Sequence, residues 1–170
     1  MIKVTLKDGS VKEFPAGISA YEAAKEISTG LARNACAAKI NGKNADLRDT
    51  LNEDCELEIS TFDDEYGKRT FRHTASHIMA QAVKRLYPHA KLAIGPAVDD
   101  GFYYDFDLET KFTPEDLAKI EAEMKKIVKE DIKLERSYKS RNEAVEFFKE
   151  KNEPYKVELA EDIPEGEDIS

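Results

Sequence analysis

Ile2-Lys3-Val4-Thr5-Leu6-Lys7-Asp8-Gly9-Ser10-Val11-Lys12-Glu13-Phe14 reads as a β-hairpin. Ile2, Val4 and Leu6 alternate with polar residues, which lines three apolar side chains along one face of a strand. Asp8-Gly9-Ser10 supplies the turn, and Val11 to Phe14 is the return strand. Working outward, Ser19 followed by Glu22 is a capping box that opens a helix. Ala20, Ala23, Ala24 and Ile27 share one face of that helix, and Thr29-Gly30 is expected to end it. Ala35 to Ile40 reads as a strand, Asn41-Gly42 as a tight turn, and Asp54 to Ser60 as a closing strand. Two hairpin strands, a crossing helix and further strands describe a small ubiquitin-like β-grasp domain over residues 1–62. It holds no histidine and no catalytic grouping.

Thr61 to Gly67, with Asp63-Asp64-Glu65, reads as a boundary. The larger part, residues 63–170, mixes elements of both kinds, so the fold class is α+β. It opens with a histidine-bearing helix that runs to about Tyr87 and stops before Pro88. Lys91 to Val98 and Phe102 to Asp107 flank Asp99-Asp100-Gly101 as a hairpin. On its second strand Phe102, Tyr104 and Phe106 share one face, and Tyr103, Asp105 and Asp107 the other. Thr113-Pro114-Glu115-Asp116 starts a helix whose stripe is Leu117, Ile120, Met124, Ile127 and Val128. Ile132 to Tyr138 is expected as a strand, Ser140 with Glu143 caps another helix ending near Asn152, and Tyr155 to Leu159 is expected as a short strand. The acidic tail, residues 158–170, shows no apolar periodicity.

The net charge is −9, a poor starting point for a nucleic-acid binder. Six of those charges come from Glu158, Glu161, Asp162, Glu165, Glu167 and Asp168, which leaves the rest nearly balanced. RNA contact is therefore not excluded. No apolar run is long enough to cross a membrane and the start lacks a signal peptide, so no membrane partner is expected and the location is read as cytoplasmic. Cys36 and Cys55 sit in strand patterns and read as buried structural thiols.

Chemistry concentrates in Arg72-His73-Thr74-Ala75-Ser76-His77, which carries two of the three histidines at i and i+4. On a helix that spacing stacks both imidazoles on one face. Phe71, Ala75, Ile78, Met79, Ala82, Val83 and Leu86 form the apolar stripe, with His73 and His77 opposite it beside Ala80 and Lys84. From Tyr66 to Val98 there is no acid, while Lys68, Arg69, Arg72, Lys84, Arg85 and Lys91 are all present. A histidine pair in the one long basic stretch of an acidic chain points to chemistry beside a phosphate-bearing ligand. Two histidines are too few for a closed zinc site, which takes four ligands, so no metal is expected. His89 reads as an exposed loop residue, Asp99 and Asp100 as turn residues, and Lys125, Lys126, Lys129 and Lys133 as a solvated helix face.

In order along the chain, these segments resemble the N-terminal part of threonyl-tRNA synthetases. The first module is similar to that family's TGS domain. The second is similar to its editing domain (the threonyl/alanyl-tRNA synthetase second additional domain). The marks are Arg72 to His77, Ala93-Ile94-Gly95-Pro96, Asp100-Gly101-Phe102-Tyr103-Tyr104-Asp105 and, less strongly, Pro154-Tyr155-Lys156. The resemblance implies a parent ligase that joins threonine to tRNA(Thr) using ATP. It also implies Mg and a zinc ion held in a ligase domain absent here, and a homodimer formed through absent domains, with this chain alone a monomer.

The resemblance further implies a second site that hydrolyses serine wrongly attached to the 3′ end of the tRNA acceptor. His73 and His77 would orient or deprotonate the attacking water and hold the terminal ribose. Lys156 would steady the ester carbonyl or orient water, Tyr104 would form a pocket wall, and Gly95 and Pro96 would line the substrate. Editing domains of this family complete the site with a Cys-x-x-x-His motif. Here both cysteines precede the histidine pair and no histidine follows His89. The expectation is a truncated domain carrying half a site, with little or no serine removal by itself. The alternative is a non-catalytic, RNA-binding or regulatory TGS module.

Overall fold

Strand β1 (Ile2–Leu6) pairs antiparallel with β2 (Val11–Phe14), with Ile2 opposite Phe14 and Val4 opposite Lys12. Asp8 fixes the turn: its carboxylate accepts from the Ser10 amide at 3.0 Å and the Ser10 hydroxyl at 2.6 Å. A short strand β3 (Ile18–Ser19) leads into α1 (Ala20–Ile27). The capping box forms both ways, with the Glu22 amide on the Ser19 hydroxyl and the Ser19 amide on the Glu22 carboxylate. Thr29-Gly30 does not end this helix. Ser28 does, and its hydroxyl accepts from the Gly30 and Leu31 amides to cap a second helix, α2 (Thr29–Asn34). One residue thus stops one helix and starts the next.

Next come β4 (Ala35–Ile40), the Asn41-Gly42 turn with both φ angles positive, β5 (Lys43–Ala45), β6 (Thr50–Leu51) and β7 (Cys55–Thr61). The sheet order is β2-β1-β7-β4-β5 with β1 and β7 parallel, and β3 pairs with β6. A helix crossing a mixed sheet of this order is the expected β-grasp. Val4, Phe14, Ala20, Ala23, Leu51 and Leu57 make its core, each large side chain contributing about 1.5–3 kcal/mol by leaving water. Cys36 and Cys55 are free and half-buried rather than buried, and partial burial raises both thiols above the ordinary value.

The computed structural model describes residues 1–164, 166–167 and 169–170. Two compact units, residues 1–72 and 73–170, divide within helix α3 (Glu65–Leu86). That helix starts inside the expected boundary, so Arg72-His73 lies in its interior rather than at its start. Gly67 belongs there because a Cβ would overlap the Thr61 carbonyl. No helix among the described residues is long and apolar enough to cross a membrane.

Within the second unit α3 is covered on two sides. Ile78, Met79, Ala82 and Val83 pack with Ile120 and Ile127, as the stripe requires. Its ends depart from expectation: Phe71 and Leu86 are exposed. Ala80, expected beside solvent-facing histidines, is buried, as is Ser76.

The hairpin forms from β8 (Lys91–Leu92), β9 (Ala97–Val98), β10 (Gly101–Phe102) and β11 (Phe106–Asp107). Phe102 faces Ala97 and Phe106 faces Leu92. Between those pairs the first strand has one residue more, and Ala93 and Ile94 both bond to Asp105. This bulge precedes Pro96, which has no amide to donate to a ladder.

Helix α4 (Pro114–Glu130) has its capping box in place, with Ile120 and Ile127 buried but Leu117 and Val128 exposed. Residues 132–138 are not a strand; they carry no ladder and are exposed throughout. Alternation alone does not make a strand there; among the described residues the first bridge after it is that of Lys139 to Ile169. Helix α5 (Arg141–Glu150) is capped by Ser140 as expected. Tyr155 to Leu159 is helix, α6 (Pro154–Glu161), not strand. Pro154 at the first position presets helical φ, and Val157 and Ala160 pack on Ala144, Val145 and Phe148. Glu158 and Glu161 thereby belong to a helix rather than a tail; the Glu165 and Asp168 part of that reading lies outside the described residues.

Candidate functional site

His73 and His77 are one helical turn apart on α3, and their Nε2 atoms are 3.0 Å apart. The rings meet edge to face with centroids at 4.6 Å. A hydrogen bond between two Nε2 atoms needs one protonated and one bare, so the pair holds a single proton between those two atoms. Adding a second proton there breaks the contact. Ser76, buried between them in sequence, donates its hydroxyl to the His73 carbonyl at 2.7 Å and leaves the imidazoles free of it. Both histidines keep exposed surface. His77 sits below the ordinary histidine value because the partial burial of its ring disfavours the charged form, with the charges of His73 and then Lys156 adding to the effect.

Lys156, whose charge acts on His77 through space, comes from another helix. It is the third residue of α6, partly buried, with its ammonium 5.7 Å from the centre of the Phe148 ring. A cation in the first turn opposes the helix dipole, so the position is not explained by helix stability. Tyr155, beside it, donates to Asp107 at 3.1 Å and ties α6 to β11.

Tyr104 is half-buried, stacked on Phe106 with centroids at 4.9 Å. Burial raises its phenol, and the nearby Glu153 carboxylate adds to that. Its ring lies against Gly95, where a Cβ would overlap it. Gly95 is thus required for close approach, not for an unusual φ. Replacing Gly95 with Ala is expected to cost about 1–3 kcal/mol through overpacking. The cost should shrink when Tyr104→Ala is present too, measured as shifts in urea midpoint; a cost independent of Tyr104 would remove this account. Pro96 follows in the bulged segment. Tyr104 also lines a hollow of about 320 Å³ with Phe106, Lys111 and Phe112. His73, His77 and Lys156 do not line it.

The basic stretch read from the sequence is largely neutralised in space. Lys84 meets Glu153 at 2.9 Å, Arg85 meets Glu130 at 2.7 Å and Glu123 at 3.2 Å, Lys68 meets Glu65 at 3.5 Å, and Lys91 meets Asp107 at 3.8 Å. An acid-free run in sequence does not make a basic surface once other segments fold against it. Lys125 and Lys126 pair with Glu121 and Glu123 on their own helix, as a solvated face would. No group of three or more His, Cys, Asp or Glu among the described residues is arranged to hold a metal ion. Sequence reasoning missed Glu153, which is buried and bonded to Lys84. The available signal was Lys84 itself, on the same α3 stripe as His73, His77 and Ala80.

Residues 2–61 match the TGS domain family. Over all 170 residues the chain is 63% identical to a threonine–tRNA ligase of Acetivibrio thermocellus, covering 27% of that protein. It is 61% identical to one of Clostridium novyi and 59% identical to one of Clostridioides difficile, over the same span and the same share. The chain therefore spans about a quarter of the length of the curated relatives it matches.

Proposed function

We propose, from the match of the whole chain to threonine–tRNA ligases, that residues 1–62 are a TGS domain and 63–170 the first part of an editing domain. We infer that the second part contributes to hydrolysis of serine misattached to tRNA(Thr). The observation that carries this reading is the proton-sharing pair His73–His77, with His77 under the influence of the Lys156 charge. Threonine and serine differ by one methyl, which a binding pocket resolves by only about 1–3 kcal/mol. Serine also keeps the hydroxyl, so a hydrogen-bonding site cannot reject it. A second site that accepts only the smaller side chain meets the need.

In this reading a water oxygen attacks the ester carbonyl carbon and gives its proton to a bare imidazole nitrogen of the pair. Lys156 offers positive charge to the oxyanion that forms. The bond from carbonyl carbon to ribose oxygen then breaks, and that oxygen takes the proton back from the imidazolium. The donor ring's Nδ1 is bare already, whereas to reach the acceptor ring's Nε2 water or a ribose hydroxyl must first displace the contact between the rings. Tyr104, Gly95 and Pro96 are assigned to the substrate side. For a longer enzyme the same reading carries ATP-dependent ligation with Mg and a zinc ion in the ligase domain, tRNA(Thr) as partner and a cytoplasmic location.

A non-hydrolysable seryl-amide of 3′-amino-adenosine titrated into the chain tests the assignment by NMR. Resonances of His73, His77, Lys156 and Tyr104 are expected to move together and saturate. Shifts confined to residues 1–62, or none, would overturn it in favour of a non-catalytic module.

A further inference from the structure

Glu153 is, among the described residues, the one buried charged side chain, 6% exposed. Its carboxylate reaches two other elements: Oε1 meets the Lys84 ammonium of α3 at 2.9 Å, and Oε2 accepts from the Leu92 amide of β8 at 3.4 Å. The same ammonium donates to the Ala90 carbonyl at 2.9 Å and the Pro88 carbonyl at 3.3 Å, so all its protons have partners.

Glu153 also occupies the N-cap of α6, where a short polar side chain normally caps the helix. Its side chain makes no cap bond and turns to Lys84 instead. Its carbonyl accepts the Lys156 amide at 3.1 Å. Two residues in one helical turn thus break local rules: a cap that does not cap and a cation at the positive end. Such breaches cluster where function outweighs local stability. Lys84 and His77 stand two turns apart on one face of α3, about 10 Å along its axis. Glu153 and Lys156 stand three residues apart on α6. The ion pair ties the start of α6 to Lys84 of α3, and the charge of Lys156, one turn further along α6, acts on His77.

We propose that Glu153 is a positioning residue: its buried carboxylate, gripped by Lys84 and the Leu92 amide, holds the first turn of α6 so that Lys156 stands beside His77. The proposal rests on reading His73, His77 and Lys156 as one site, and it adds a residue that acts on that site only through another. A Glu153 variant that merely loosened the fold would leave the pairing of Lys156 with His77 intact in every folded molecule. A positioning role predicts that the pairing itself is lost.

The test is a double-mutant cycle read on the His77 titration midpoint by NMR in the 170-residue chain. Lys156→Met is expected to raise that midpoint in the otherwise unchanged chain, because the lysine charge opposes protonation of His77. In the Glu153→Gln chain, Lys156→Met is expected to leave the midpoint where it is. An equal rise in both backgrounds would overturn the role of Glu153 and keep the site. No rise in the unchanged chain would instead remove the grouping of Lys156 with His77, and the proposal with it. If Glu153→Gln does not fold, Lys84→Met with Glu153→Gln leaves no ion unpaired and serves as the same background.

Discussion

Replacing His73 with Ala, in a threonine–tRNA ligase that begins with these 170 residues, is expected to slow hydrolysis of seryl-tRNA by about 10²- to 10⁴-fold, the range for losing a general acid–base group. Formation of threonyl-tRNA is expected to stay unchanged, since that chemistry is assigned to another domain. The size follows from the shared proton. With His73 gone, His77 loses both the Nε2 partner at 3.0 Å and the group that fixes its tautomer. His77→Ala should therefore be comparably damaging, and the double substitution little worse than the worse single one, because the two act as a unit.

The pH profile follows the same logic. His77 lies below its ordinary value of 6.5, with burial as the first cause, so it is neutral and able to take a proton at neutral pH. Hydrolysis should hold on its plateau there and fall as pH drops through the lowered value. Stability runs the same way. A depressed folded value makes protonation costlier in the folded state, so the contribution is complete above about 6.5 and is lost as pH falls through the folded value. Single-turnover deacylation rates across pH would check this; an unchanged rate in His73→Ala would sink the assignment.

The β-grasp was legible because its signals are local. Asp8-Gly9-Ser10, Ser19 with Glu22 and Asn41-Gly42 each act over four residues or fewer, and all formed as the residue types require. Alternation alone was a weaker guide. Tyr155, Val157 and Leu159 alternate, yet Pro154 and the packing of Val157 and Ala160 on α5 make the segment helical. Ile132 and Leu134 alternate too, yet residues 132–138 do not form a strand. Thr29-Gly30 pointed to the wrong end of α1 because Ser28 serves two helices, its amide bonding the Ala24 carbonyl of α1 and its hydroxyl capping α2. The histidine pair followed from spacing on a helix, but Glu153 did not. It lies in Glu150-Lys151-Asn152-Glu153, where one acid looks like the next, and only the tertiary contact with Lys84 sets it apart.

That contact supports the second large effect. Glu153→Ala is expected to destabilise the unit of residues 73–170 by about 2–4 kcal/mol. Removing one partner of a wholly buried pair costs about 3–5 kcal/mol, because the other charge stays out of water uncompensated. The figure is reduced here because the Lys84 side chain keeps 29% of its exposure and can recover some hydration. The Leu92 amide, bonded at 3.4 Å, loses its acceptor as well. Lys84→Met combined with Glu153→Leu leaves neither charge behind and should cost clearly less than Glu153→Ala alone. Urea melts followed by NMR signals within residues 73–170 measure this without assuming that both units unfold together. If Glu153→Ala melts with the parent chain, the carboxylate is not buried against Lys84 as described. If the double variant costs the sum of its singles, the two charges do not act on each other.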